Sequence, residues 1–250
     1  MKITFLGTAA GVPEQSRHPA SCVIEVSGRL YLIDAGMSTV NRLIDYGFDI
    51  EAVKSVFITH THGDHVYGLI DLMRCANIEK IYPKLEIDYF IPEELLAEAL
   101  EEYFIAVIQP VRREVNRFHT FEEGVIFDDG FIRVTAIPTA HTKVAGRPSF
   151  AFLVEAEGRR VVFSGDLSQH LEFSDIPSAV YEERVDLFVL ELAHFSLDEL
   201  SPFLEGMKVD RLVFNHVSLY EEKLPKIKEF ASKNDTFPIE CSFDGYSVEL

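Results

Sequence analysis

Short apolar runs bounded by polar turn residues recur along the chain, at 2–6, 22–26, 29–33, 53–58, 86–91, 131–137, 150–154, 160–163, 186–190 and 211–214. Runs of this length and punctuation predict β-strands. Between them, apolar residues at helical spacing predict helices over 38–46, 65–76, 92–107, 196–204 and 221–230. The third begins with Pro92 and an acidic first turn, as helix starts often do. Its Leu96, Leu100, Tyr103 and Val107 stripe predicts a face packed on the core, with a substrate lid or dimer face as the other use. A strand-rich first half followed by a strand-rich second half predicts an α+β protein, two sheets face to face with helices outside.

Composition changes this picture only in scale. With 250 residues and 47% hydrophobic residues, the chain can bury one well-filled core, and the expectation is a single domain over 1–250. Cys22, Cys75 and Cys241 are odd in number and share no metal-ligand spacing, so free thiols and a reducing compartment are expected. No run approaches membrane-spanning length, and the early apolar stretch is too short for a signal peptide. A cytoplasmic protein without a membrane partner is therefore expected.

Charge narrows the partners. Lys and Arg number 23 against 41 Asp and Glu, a formal net charge of 23 − 41 = -18. Binding a polynucleotide backbone needs clustered cations, so nucleic acid is disfavoured, while a small anionic substrate meeting local metal ions is not. Self-association is left open by the sequence.

The chemistry concentrates in Thr59-His60-Thr61-His62-Gly63-Asp64-His65, directly after the run Val56-Phe57-Ile58. In an extended chain, residues two apart point the same way, so His60 and His62 can reach one ion. Gly63 then lets the backbone bend and turn Asp64 and His65 towards a second. The pattern repeats downstream, where apolar runs lead into His141, Asp166, His194 and His216. If those strands share a direction, their ends converge on one rim.

The chain resembles the metallo-β-lactamase superfamily, on its ribonuclease Z and phosphodiesterase branch. The resemblance rests on Gly7-Thr8 with Pro13 and Arg17, on Leu32-Ile33-Asp34-Ala35-Gly36, on the HxHxDH run, and on the later His, Asp, His and His in the same order. It implies a four-layer αββα sandwich of two packed mixed sheets. It implies one metal on His60, His62 and His141, another on Asp64, His65 and His216, and Asp166 between them. Two divalent ions are expected, zinc first, with manganese or iron accommodated by the same imidazole and carboxylate donors.

The resemblance further implies hydrolysis by a hydroxide shared between the ions, with Asp64 and His194 as catalytic residues and His194 as general acid. A purely supporting role is the other reading of His194. Asp34 is expected to support a ligand from behind, and Arg17 either to neutralise a substrate phosphate or to form an exposed ion pair. The expected substrate is a small cyclic or linear phosphodiester. Hydrolysis of a lactone, thioester or β-lactam is the alternative, and so is ribonuclease Z-like processing of tRNA. Against tRNA, the 25 positions from His141 to Asp166 (166 − 141) hold no long arm. An oxygen-reducing di-iron protein is disfavoured because such members carry an acid where His62 stands.

Overall fold

The computed structural model describes residues 1–172 and 175–250. Among the described residues, two seven-stranded sheets lie face to face. The first contains β1 (Lys2–Gly7), β2 (Ser21–Val26), β3 (Arg29–Ile33), β4 (Val53–Phe57), β5 (Ile87–Ile91) and β6 (Asn116–Thr120), side by side in that order. The second contains β7 (Gly124–Asp128), β8 (Arg133–Pro138), β9 (Phe150–Ala156), β10 (Arg159–Phe163), β11 (Leu187–Leu192), β12 (Leu212–Val217) and β13 (Ile239–Cys241), again in order. The last strand, β14 (Ser247–Glu249), returns to the first sheet and pairs antiparallel with β1.

Helices cover the outer faces. On the first sheet α1 (Thr39–Asp45), α3 (Leu69–Asn77) and α4 (Glu94–Val107) pack Val40, Leu43, Leu72, Met73, Leu100 and Phe104 against Leu30, Leu32, Val56 and Tyr89. A short helix, α2 (Gly63–Val66), carries part of the HxHxDH run. On the second sheet α5 (Ala179–Glu182), α6 (Leu197–Leu200) and α7 (Tyr220–Lys233) pack Val180, Leu200 and Ile227 against Phe188, Leu190 and Phe214. The expected four-layer αββα sandwich is thus the architecture found.

Alternation within the strands produces the layer between the sheets. Phe5, Ile24, Tyr31 and Phe57 face Val134, Phe152, Val161 and Val189 there. Phe57 ties the sheets together, stacked on Phe90 at 5.0 Å and edge-on to Phe152 at 6.2 Å. Burying each such ring stabilises the fold by about 1.5–3 kcal/mol.

Strand direction positions the site. β3 to β6 run parallel in the first sheet. β10 to β13 run parallel in the second, and β8 shares their direction because both β8 and β10 are antiparallel to β9. The ends of β4, β8, β10, β11 and β12 therefore meet on one rim.

Several boundaries differ from the sequence expectations. The helix expected over 65–76 is interrupted at Gly68, where a Cβ would lie 2.3 Å from the Gly36 carbonyl oxygen. That approach demands a glycine, and the Gly68 N–H donates to the Ala35 carbonyl at 2.8 Å instead of continuing the helix. In α4 the buried positions are Leu100 and Phe104, while Tyr103 and Val107 are 56% and 55% exposed. This helix is apolar on several sides, so spacing alone misplaced the stripe by part of a turn. β6, β7, β13, β14 and α5 were not expected, being short or rich in polar residues. The link between β9 and β10 is a tight turn at Glu157-Gly158, both at positive φ (52° and 73°), so no arm protrudes there.

Candidate metal centre

The rim gathers the motif residues into two groups. The ligand atoms of His60, His62, His141 and Asp166 lie within 4.8 Å of one another, as do those of Asp64, His65 and His216. Asp166 faces both. Its Oδ2 lies 3.6 Å from His60 Nε2, 3.7 Å from His141 Nε2 and 3.3 Å from His216 Nε2, and its Oδ1 lies 3.5 Å from His65 Nε2. Asp64 Oδ2 is 3.5 Å from His65 Nε2 and 3.7 Å from His216 Nε2.

Most of these separations are too long for hydrogen bonds. They match instead the edge of a ligand tetrahedron around a shared ion, where donors about 2.1 Å from the metal stand about 3.4 Å apart. His60 Nε2, His65 Nε2 and Asp166 Oδ1 are buried with no hydrogen-bond partner among the described residues. Such orphaned groups cost about 1–3 kcal/mol each unless something meets them. The donor set therefore fits divalent cations, and imidazole with carboxylate suits zinc, manganese or iron.

Contacts behind the cluster turn the imidazoles towards it. Asp34, at the end of β3 with φ 59°, accepts the Thr59 N–H at 2.8 Å, the Thr59 hydroxyl at 2.9 Å and His65 Nδ1–H at 2.8 Å. With its proton on Asp34, the Thr59 oxygen can accept His60 Nδ1–H at 3.1 Å. His141 Nδ1–H donates to the Leu167 carbonyl at 2.9 Å. Each contact occupies Nδ1 and turns Nε2 towards the cluster, where His141 Nε2 lies 3.1 Å from His62 Nδ1. The Gly11 N–H donates to Asp64 Oδ2 at 2.8 Å, bringing the loop after β1 over the site.

The imidazoles and carboxylates of the cluster shift one another's protonation. Burial, and then the neighbouring imidazoles, push His60 well below the usual histidine value; burial followed by His141 lowers His62. For His65, burial lowers the pKa, but the Asp166 and Asp34 carboxylates outweigh it and raise the value well above normal. Burial raises Asp166, yet His216, His65 and His60 hold it well below the usual carboxylate range.

His194 stands at the edge of the cluster, its Nε2 3.9 Å from Asp166 Oδ2 and its ring 4.6 Å from that of His141. Behind it is Glu191, an acid one residue from the end of the apolar β11 and 2% exposed. Glu191 Oε1 accepts His194 Nδ1–H at 2.9 Å and the Leu167 N–H at 2.8 Å, while Oε2 accepts the Ala193 N–H. Burial lowers the pKa of His194, and the bond and charge of Glu191 reverse this to a net rise. Sequence reasoning passed over Glu191. Its signal was a charged residue inside an otherwise apolar strand, which needs a buried partner. Asp175 was also passed over. It is 2% exposed and accepts the Ala140 and Ser168 N–H groups at 2.7 and 2.6 Å, clamping the loops that carry His141 and Asp166.

Arg17 is not brought into the cluster. Its guanidinium is buried, donates to the Thr8 hydroxyl, to Glu14 and to the Val217 carbonyl, and stacks 4.3 Å from the Tyr220 ring. Of its two expected roles, these contacts describe the ion pair, with Glu14, but buried where an exposed one was expected, because the guanidinium is also needed by Thr8 and the Val217 carbonyl.

Residues 1–222 match the family described as anti-Pycsar protein Apyc1. The chain belongs to that family. Among curated relatives, ribonuclease Z of Prochlorococcus marinus subsp. pastoris is 30% identical over 189 residues, covering 73% of this chain and 58% of the relative. The chain thus spans about three-fifths of the length of the curated relatives it first matches. Among solved structures, the metallo-β-lactamase fold protein YhfI from Bacillus subtilis superposes with a TM-score of 0.77 at 16% identity, covering 99% of both chains. A diphosphatase from the PhnP family gives 0.72 at 20% identity, covering 100% of this chain and 97% of the other. The fold of this Apyc1-family chain is the metallo-β-lactamase fold, as the motif resemblance implied. No helix among its described residues is long and apolar enough to cross a membrane.

Proposed function

We propose that this chain is a dinuclear metal-dependent hydrolase acting on small cyclic or linear phosphodiesters, with residues 1–250 as one hydrolase domain to whose single site both sheets contribute. The observation that carries the reading is His194, locked by Glu191 at the rim of a His/Asp cluster with orphaned donor atoms. His60, His62 and His141 would hold one ion, Asp64, His65 and His216 the other, and Asp166 both, with zinc the first candidate. When bound, such ions supply Lewis acidity and lower the pKa of a coordinated water towards about 7.

The protein's own part is orientation and proton transfer. Asp34, Thr59 and the Leu167 carbonyl hold ligand imidazoles in the tautomer that presents Nε2. Glu191 occupies His194 Nδ1–H, so the acidic proton of the imidazolium sits at Nε2, facing the cluster. As the ester bond breaks, that proton can pass to the departing oxygen.

A lactone or thioester carbonyl would meet the same groups. The phosphodiester reading is preferred because relatives and neighbours carry the names ribonuclease Z and diphosphatase. Processing of tRNA is a second reading favoured by the first of those names. The net charge of -18 and the short link from His141 to Asp166 weigh against it.

The test combines metal analysis with hydrolysis of two diesters, one with an alkyl and one with a nitrophenyl leaving group. Asp166→Ala is expected to lose metal and activity. His194→Ala is expected to keep its metal and to lose roughly 10²–10⁴-fold on the alkyl diester, but far less on nitrophenyl, whose leaving group needs little protonation. Activity confined to a lactone panel would reverse the order of substrates, and a fully active His194→Ala enzyme would remove the proton donor.

A further inference from the structure

The same rim carries a cavity of about 530 Å³ beside the cluster, lined among others by Pro92, Phe121, Thr139, Lys143, Pro148 and Phe150. Its walls are joined to the metal-site segments by hydrogen bonds. The Phe150 N–H donates to the Thr59 carbonyl, next to His60, at 2.9 Å, and the Thr139 hydroxyl donates to the Asp166 carbonyl at 3.2 Å. Thr139 and Lys143 flank His141 in the chain. The opposite wall is tied down as well. Arg147 Nε donates to Glu93 at 2.9 Å, and the same carboxylate oxygen accepts the hydroxyl of Thr61, the residue between His60 and His62, at 2.9 Å.

Phe121 gives this cavity its character. The ring is half-buried and packs on Phe150 and Phe152 with centroids at 4.9 and 5.8 Å, while it also lines the cavity. An aromatic ring fixed from behind by other rings is a platform on which a planar group can stack. Glu122 and Glu123 line the cavity together with Lys143 and Arg147, so its rim carries charges of both signs.

We propose that this cavity is the subsite for one ester group of the substrate, a planar ring stacked on Phe121 while the phosphate lies at the cluster. The inference rests on the phosphodiesterase reading and narrows its substrate class. A volume of about 530 Å³, in the usual range for small-ligand sites, admits a ring system of nucleoside size.

Calorimetric titration of the metal-loaded protein with phenylphosphonate and with methylphosphonate tests the proposal without turnover. Burial of the ring is expected to give the phenyl compound roughly ten- to hundredfold tighter binding. Phe121→Leu should cut that preference several-fold and Phe121→Trp should restore it, with methylphosphonate affinity unchanged in both as the check that the metal cluster is intact. Equal affinities in the wild type, or a phenyl preference indifferent to position 121, would overturn the subsite. Diester assays run in parallel separate the two ideas. A Phe121-dependent phenyl preference without diester hydrolysis would keep the subsite and sink the phosphodiesterase reading, whereas hydrolysis with no such preference would do the reverse.

Discussion

Glu191 is where a single residue does most to define the chemistry. A carboxylate in a buried strand is costly unless each lone pair is met, and here backbone N–H groups and one imidazole meet them. In Glu191→Gln an amide NH₂ would face N–H donors on one side, loosening His194. Turnover of an alkyl diester is expected to fall by about 10–100-fold with metal content unchanged, as measured by steady-state kinetics and metal analysis on the same preparation. Retention of full turnover would show that His194 needs no support. His60, His62, Asp64, His65, His141, Asp166 and His216 were legible from residue type and spacing, because a motif that repeats the same chemistry at strand ends is hard to produce by chance. Glu191 and Asp175 were not, because acids that stabilise loops from behind carry no spacing rule of their own.

At the scale of elements, α4 shows how much the pattern can leave undecided. Its sequence offers apolar residues on nearly every side, and contact with the sheet selects Leu100 and Phe104. Phe104→Ala is expected to cost about 3–5 kcal/mol in urea unfolding. Tyr103→Ala should stay within about 0.5 kcal/mol, and the reverse ranking would mean the helix is rotated. The edge pair β5–β6 supplies a pH-dependent contribution. Burial raises the pKa of Asp88, but Arg117 and His119 outweigh it and hold it below the model-compound value of 3.8. Its stabilisation is therefore present above 3.8 and is lost as the pH falls through the lower folded value. Asp88→Asn should lower the melting temperature at neutral pH and lose that deficit well into acid, modestly because the group is partly solvated. A deficit that persists in strong acid would point to packing instead.

Across the whole molecule, the net charge of -18 would fall only to -18 + 4 = -14 with two divalent ions bound, so the far field still repels anions. Salt shortens the reach of that field from about 30 Å at 0.01 M to about 8 Å at 0.15 M. For an anionic diester, kcat/KM is expected to rise severalfold over this range, while a neutral nitrophenyl ester should be indifferent. A fall with salt would mean that local cations on the rim, Lys143 among them, dominate the approach.

Periodicity by itself determined the strand-rich α+β class, and motif spacing the His/Asp set and its resemblance to metallo-β-lactamases, which in turn implied the four-layer sandwich, because alternation and ligand spacing are local properties of a chain. Only the tertiary structure decided that β8, β10, β11 and β12 share a direction and deliver His141, Asp166, His194 and His216 to the end of β4. It also decided that Arg17 is spent on Thr8, Glu14 and Val217, and that Phe121 lies across a cavity from the 143–148 segment. These follow from which strands pair and which side chains find partners in space, and neither is encoded in the spacing of neighbours along the sequence.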